Sequence, residues 1–380
     1  MIAAGNSAFA QTWTQTSAPT NYWTSVASSA DGTKLVAAAK NDGIWVSTNS
    51  GDTWIQTSAP NYQDGYSIAS SFDGTKLVAG AHAGGIYIST NSGQTWVSNN
   101  LPNQDWYSVA SSADGSKLAA LIANGVVFTS TDSGNTWVSS TNMPLLRSVA
   151  SSADGTKLVA AGLEIYISTN SGSSWTQTNS LSGGISVASS ANGTCLVAAA
   201  GQWIFISTNS GMTWMQTSAP ETNWNAVASS ADGSRLVAVA GGSKNPEIPV
   251  LNGPIYTSTN SGMTWVSNSV PVQYWTSVAS SADGCKLVAV NAGMWNIAGG
   301  AIWISQTTPV PAVNITTTNS NLMLSWIIPS TNFVLQQNLD LTTTNWETLT
   351  DTPALNLTNL QNEVMLSPSN SSGFYRLATP

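Results

Sequence analysis

The sequence predicts an all-β chain, a seven-bladed β-propeller closed by its own N-terminal strand and followed by a small C-terminal β-sandwich. Three observations predict it. One unit is written seven times, each unit divides into four short strand-like runs, and the strand missing from the last unit stands at the start of the chain.

The most constant part of the unit reads "SVASSADGTKLVAAA" at Ser25 and returns with small changes at Ser67, Ser108, Ser148, Ser186, Ala226 and Ser277. Its turn falls at Asp31, Asp73, Asp114, Asp154, Asn192, Asp232 and Asp283, a spacing of 38 to 51 residues. Propeller blades repeat at ~40–50 residues. In the first unit Thr24 to Ser29 is strand A, and Asp31-Gly32 closes a hairpin because glycine tolerates positive φ. Lys34 to Ala39 is strand B, whose small and β-branched residues suit close packing between sheets. "IWVST" is strand C, and after "NSGDT" the run "TWIQTSA" is strand D. Four short strands per unit, arranged radially, leave no long open edge.

The seventh unit supplies strands A, B and C ("AIWIS", Ala301 to Ser305) and then runs into "QTTPVP". Its strand D is "QTWTQTSAP" from Gln11, which matches "DTWIQTSAP" from Asp52. From Pro309 the repeat stops, and alternating runs such as Leu322 to Trp326 and Phe333 to Gln337 suggest a small β-sandwich on a proline linker. The expected divisions are therefore a processing segment at 1–10, the propeller at 11–308 and the sandwich at 309–380. "MIAAGNSAFAQTW" ends its first ten residues in Ala8-Phe9-Ala10, the form of a trimmed export signal, so a secreted, periplasmic or cell-surface location is expected.

Composition narrows the function. The 380 residues are 42% hydrophobic but only 7% charged, with ten basic residues against eighteen acidic ones and a net charge of −8. The basic residues are scattered, six of the ten standing one per unit in a fixed turn, so no patch is set to displace counterions from a nucleic acid. No apolar run approaches the ~18 residues of a membrane span. Cys195 and Cys285 replace different residues of the same turn in non-adjacent units, which argues against a disulfide.

The octet "STNSGDTW" at Ser47 recurs at Ser89, Ser130, Ser168, Ser207 and Ser258. It resembles the Asp-box, or bacterial neuraminidase repeat, of sialidase-like propellers and of propellers similar to photosystem II assembly factors. The resemblance covers about 300 residues and implies a C–D turn on the face opposite any active site. The acidic position is Asp only at Asp132; it is Asn49, Asn91, Asn170, Asn209 and Asn260 elsewhere. Either side chain can cap backbone N–H groups, whereas acid–base or Ca²⁺ chemistry would not survive the exchange. These residues, with Trp54, Trp96, Trp137, Trp175, Trp214 and Trp265, are therefore expected to be structural. The closing segment, with "FVLQQNLDLTTTNWETL" and "GFYRLATP", resembles short modules ending exported proteins of Verrucomicrobia-type bacteria.

Function should then lie in what the repeat does not require. The aromatics left over sort to the D–A and B–C connections, on the face opposite the boxes, as do two insertions at Gly241 to Gly253 and Asn291 to Gly300. Trp23, Tyr66, Trp106, Tyr107, Trp203, Trp224, Trp275 and Trp295 are the candidate ligand contacts. Trp23, Trp106, Trp224 and Trp275 share one offset before strand A, which equally fits a plug between blades. An aromatic-lined concavity suits sugar rings, a peptide or a partner protein.

Catalytic equipment is sparse. A sialidase grips its substrate carboxylate with three arginines; here Arg235 lies in a hairpin and Arg376 in the small domain, leaving Arg147 alone. That activity is rejected, because fold does not carry function. The single histidine, His82, has no cysteine near it and reads as a loop residue. Asp42, Glu221 and Glu247 join Asp64, Asp105 and Glu164 as upper-face carboxylates, the last three being the choice for a glycosidase or lyase. The expectation is a non-enzymatic extracellular binding or scaffold protein for a glycan or surface partner, with no cofactor and no metal. A carbohydrate-active enzyme is the alternative. An assembly-factor-like chaperone is disfavoured, since that resemblance implies an arginine patch the chain lacks.

Overall fold

The computed structural model describes residues 11–122, 124–140, 143, 145–178, 183–241, 253–293, 299–308, 312–318, 321–328, 333–367 and 373–378. The chain is all-β and its main body is a β-propeller. Seven four-stranded antiparallel sheets lie between Trp13 and Gln306. The first consists of Trp23–Ser28 (A), Leu35–Ala39 (B), Gly43–Ser47 (C) and Ile55–Gln56 (D). Strand A of each sheet touches strand A of the next, and the last returns to the first. The N-terminal strand Trp13–Gln15 pairs with Ile302–Gln306, Trp13 opposite Ser305, and completes the last sheet.

Strand D is shorter than its run of residues suggests, two residues in the first six sheets. Trp54 turns its indole back to donate to the Gly51 carbonyl at 3.1 Å, so the octet's tryptophan closes the turn rather than extending the strand. A short outer strand also blunts the exposed edge. Strand B is buried along its whole length in the first six blades, and in the seventh from Leu287 on, as its Ala, Val and Leu content requires. Close packing constrains it: a Cβ at Gly80 would sit 2.8 Å from Cβ of Trp106 in the next blade.

The ring is stitched at its A–B end. Ala30 donates its N–H to Phe72, and the same bond passes through Ala113, Ala153, Ala191, Ala231 and Ala282 back to Ala30, each 2.7 Å long. Each such bond is worth about 0.5–1.5 kcal/mol net. Ser25 Oγ accepts from the Ile68 N–H, and Ser67, Ser108, Ser148, Ser186 and Ser277 repeat the contact, while Ala226 interrupts it. The repeated lysines are spent here too. Lys34 crosses to the second blade, where its Nζ donates to Ser92 Oγ at 3.2 Å, and Lys286 reaches Ser50 in the first blade in the same way.

The C-terminal segment forms two sheets, one of four strands and one of three, around Leu324, Trp326, Leu335, Val364 and Leu377. Its Ile327, Ile328 and Leu360 pack on the alanine ring at the box end of the propeller axis. Leu360, at φ 55°, projects from a tight turn and lines a cavity of about 170 Å³ there. Among the described residues no helix is long and apolar enough to cross a membrane.

Candidate functional site

Six octets carry one hydrogen-bond pattern. In the first, Ser47 Oγ accepts from the Gly51 N–H at 2.9 Å and donates to Asn49 Oδ1, which also accepts from the Thr53 N–H at 3.0 Å. Asp132 makes the same bond to the Thr136 N–H at 2.9 Å, and its second oxygen accepts from the Thr136 hydroxyl at 2.6 Å. The Thr136 hydroxyl and N–H, together with Ser130, hold the Asp132 carboxyl down at about 2, opposed by a small desolvation. Trp54, Trp137 and Trp214 donate to the box glycine carbonyl, while Trp96, Trp175 and Trp265 have a buried indole nitrogen without a partner. Asn91, Asn170, Asn209 and Asn260 repeat the turn of Asn49.

The hairpin carboxylates on the same face are equally committed. Burial works against the charge of Asp31, but bonds from Ser29 and Thr33, and Lys286 nearby, outweigh it and hold its carboxyl below the usual range. Asp73, Asp114 and Asp154 follow the same balance, each beside the lysine of the preceding blade.

The opposite face revises the aromatic surface expected from the sequence. Trp23, Trp106, Trp224 and Trp275 are 0% exposed and Tyr66 only 2%. Each lies between two blades; Trp23, for example, packs on Trp45 and Trp54 and on Val288, Val290 and Ile302. These five rings fill the upper end of the inter-blade cores and present no surface to a ligand. Trp203 is half-buried and opens strand C, the place held by Gly43 in the first blade and Glu164 in the fourth, away from the axis. Trp295 and Glu247 lie outside the described residues.

What reaches solvent is set by a bulge. In six blades the A–B register shifts one residue after the buried position, as between Trp23 and Ser25. A bulge re-aims one side chain. In the first and seventh blades it carries Thr24 and Thr276, whose hydroxyls donate to the next blade's Tyr66 and Trp23 carbonyls. In the third and fourth blades it carries Tyr107, 41% exposed, and Arg147, also exposed. Tyr107 and Arg147 each stand directly before the repeated serine, Ser108 and Ser148, and that shared offset is the sequence signal that pairs them.

Tyr107 does not stand alone. Its ring meets His82 edge-on at 5.2 Å, and His82 donates its backbone N–H to the Gly65 carbonyl at 3.2 Å. Asp105 accepts from the Ala83 N–H at 3.0 Å, and Trp106 donates to the Gly84 carbonyl at 3.0 Å, fixing the His82 loop. Next to Gly65, Asp64 pairs with Lys40 at 3.4 Å, and Lys40 Nζ lies 4.9 Å over the Tyr22 ring. Tyr22, Lys40, Asp64, His82, Asp105 and Tyr107 thus form one polar, aromatic band over the first three blades. Two of the three candidate catalytic carboxylates, Asp64 and Asp105, are held within it, and the third, Glu164, lies apart in the fourth blade, accepting from the Tyr166 hydroxyl at 3.3 Å. Asp42 accepts from Trp45 Nε1 and Gln56, and Glu221 is exposed. Among the described residues no group of three or more His, Cys, Asp or Glu is placed to hold a metal ion. Both cysteines are free, and burial pushes the Cys285 thiol up to about 11 against the pull of Arg235.

No family profile matches the chain, and no characterised protein matches it in sequence. Its fold is similar to solved propellers. The structure "YCF48 bound to D1 peptide" superposes with a TM-score of 0.57 at 15% identity, over 79% of this chain and 98% of that one. YCF48 from Cyanidioschyzon merolae gives 0.56 at 12% identity, over 77% and 98%.

Proposed function

We propose that the protein is a seven-bladed Asp-box propeller acting as a non-enzymatic scaffold that binds a polypeptide segment of a partner on its loop face. The observation that carries this reading is the band of exposed and half-buried groups around Tyr107, with Arg147 beside it in the next blade. It offers an aromatic ring, both signs of charge and loop backbone, the mixture a polypeptide can use. A solved propeller of similar fold is described with a bound peptide, which supports the class of partner. Glycan stacking on this face loses much of its platform, because Trp23, Trp106, Trp224 and Trp275 are buried between blades. Asp64 and Asp105 serve as an ion-pair partner and a loop cap, which supports a binding role over hydrolysis.

The test is selection of peptides from a displayed library against the whole chain, followed by affinity measurements on Tyr107→Ala and Arg147→Glu. The expected result is a loss of about tenfold or more in each, with melting temperature unchanged. Selected peptides that bind both variants as well as the parent, or a library that yields none, would overturn the reading. Carbohydrate release abolished by Asp105→Asn would replace it with the enzyme alternative.

A further inference from the structure

Each box packs against strand C of the preceding blade, and the box glycine shows what it meets there. A Cβ on Gly51, Gly93, Gly134, Gly211 or Gly262 would touch Ile304, Val46, Ile88, Ile167 or Ile206. At Gly172 it would meet Thr129, 2.5 Å away. The same box departs from the repeat twice more. Ser173 stands where the others carry Asp52, Gln94, Asn135, Met212 and Met263, and Ser174 stands where they carry threonine. Three departures, all toward smaller or hydroxylated side chains, converge on the junction between the third and fourth blades.

That junction holds a cavity of about 400 Å³, within the ~300–1,000 Å³ of small-molecule sites. Thr129, Ser139, Ser171, Ser173, Ser174 and Trp175 are among its lining residues, and none of the lining residues is charged. Each hydroxyl offers one donor and two acceptor lone pairs. Ser174 Oγ already accepts from Asn170 Nδ2 at 2.9 Å and so keeps its own proton to give. Trp175 adds the surface of a half-buried indole.

We propose that this groove binds a neutral polyhydroxylated ligand of the size of a single sugar ring. The ring's C–H face lies against the indole and its hydroxyls exchange bonds with the serine and threonine wall. An ionised ligand would lose hydration with no counter-charge to meet it. The site is on the outer flank of the propeller, separate from the loop-face band.

The test uses the full chain with methyl β-D-glucopyranoside, methyl α-D-mannopyranoside and sorbitol, and glucuronate as the charged control. Saturation-transfer NMR and indole fluorescence report binding. The variant T129I/S173Q/S174T writes residues found at the same positions of other blades into this junction and is expected to keep its melting temperature. It should weaken the neutral ligands about tenfold or more, and S173Q alone serves if the triple variant misfolds. No saturation by any neutral probe, affinity unchanged in S173Q and the triple variant, or glucuronate binding as tightly as the glycosides would overturn the proposal.

Discussion

The two faces of the propeller are built from the same unit and use it in opposite ways. On the box face the blades repeat their bonds: the hairpin Asp or Asn accepts from its serine, four lysines reach the box serine of the next blade, and the backbone ring runs from Ala30 to Ala282. Departures there are absorbed. Asn192 takes an aspartate's place and keeps its bond to Thr194, and Cys195 replaces a lysine over Gly233. On the loop face the backbone also repeats, as a bulge, but the residue it carries changes from blade to blade. Repetition marks what the fold needs. The variation at a constant backbone position is where binding chemistry has room.

The sharpest way to break this comparison is to truncate two adjacent residues of the third blade. Trp106 is fully buried and Tyr107 is exposed. Trp106→Ala removes a large packed ring and should cost about 3–5 kcal/mol, read from urea unfolding. Tyr107→Ala should stay within about 0.5 kcal/mol. Similar losses in the two variants would mean that the bulge does not separate packing from exposure.

A smaller effect tests the inner stitching. Ser108 Oγ accepts from the Val149 N–H at 3.0 Å. Ser108→Ala should lose about 1 kcal/mol, and Ala226→Ser, which restores the missing contact in the sixth blade, should gain a comparable amount. If both changes are silent in the same unfolding assay, the serine ring is incidental to stability.

The blades, their hairpins and the N-terminal closure were legible because each rests on local patterning written several times. The candidate site was legible only in part. Trp106 and Tyr107 are adjacent aromatics in a polar connection, and nothing in their order says which is buried. The bulge decides that, and a bulge is a property of pairing with strand B. Trp203 has no aromatic counterpart at its position in the other blades, yet it occupies an ordinary strand-C position. The seating of Ile328 and Leu360 on the alanine ring was invisible for another reason. It joins segments with no shared pattern, one within the repeat and one beyond it.

The smallest expected effect concerns the one acidic octet. The folded carboxyl of Asp132 titrates near 2, below the ordinary carboxylate value, because the charged form accepts bonds from Thr136 and Ser130. A depressed value means that its stabilising contribution is present above the ordinary carboxylate pKa and is lost as pH falls through the folded value. The hairpin aspartates are displaced in the same direction. Stability should therefore hold at neutral pH and decline in the acid range, below about pH 4. Asp132→Asn copies the other five boxes, whose asparagines already bond the same backbone N–H groups. It should leave the melting temperature at pH 7 unchanged while removing one low-pH titration from the carboxyl NMR spectrum. A drop of several degrees at pH 7 would show that this carboxylate does something its asparagine counterparts cannot, and the third box would then need a role beyond the turn.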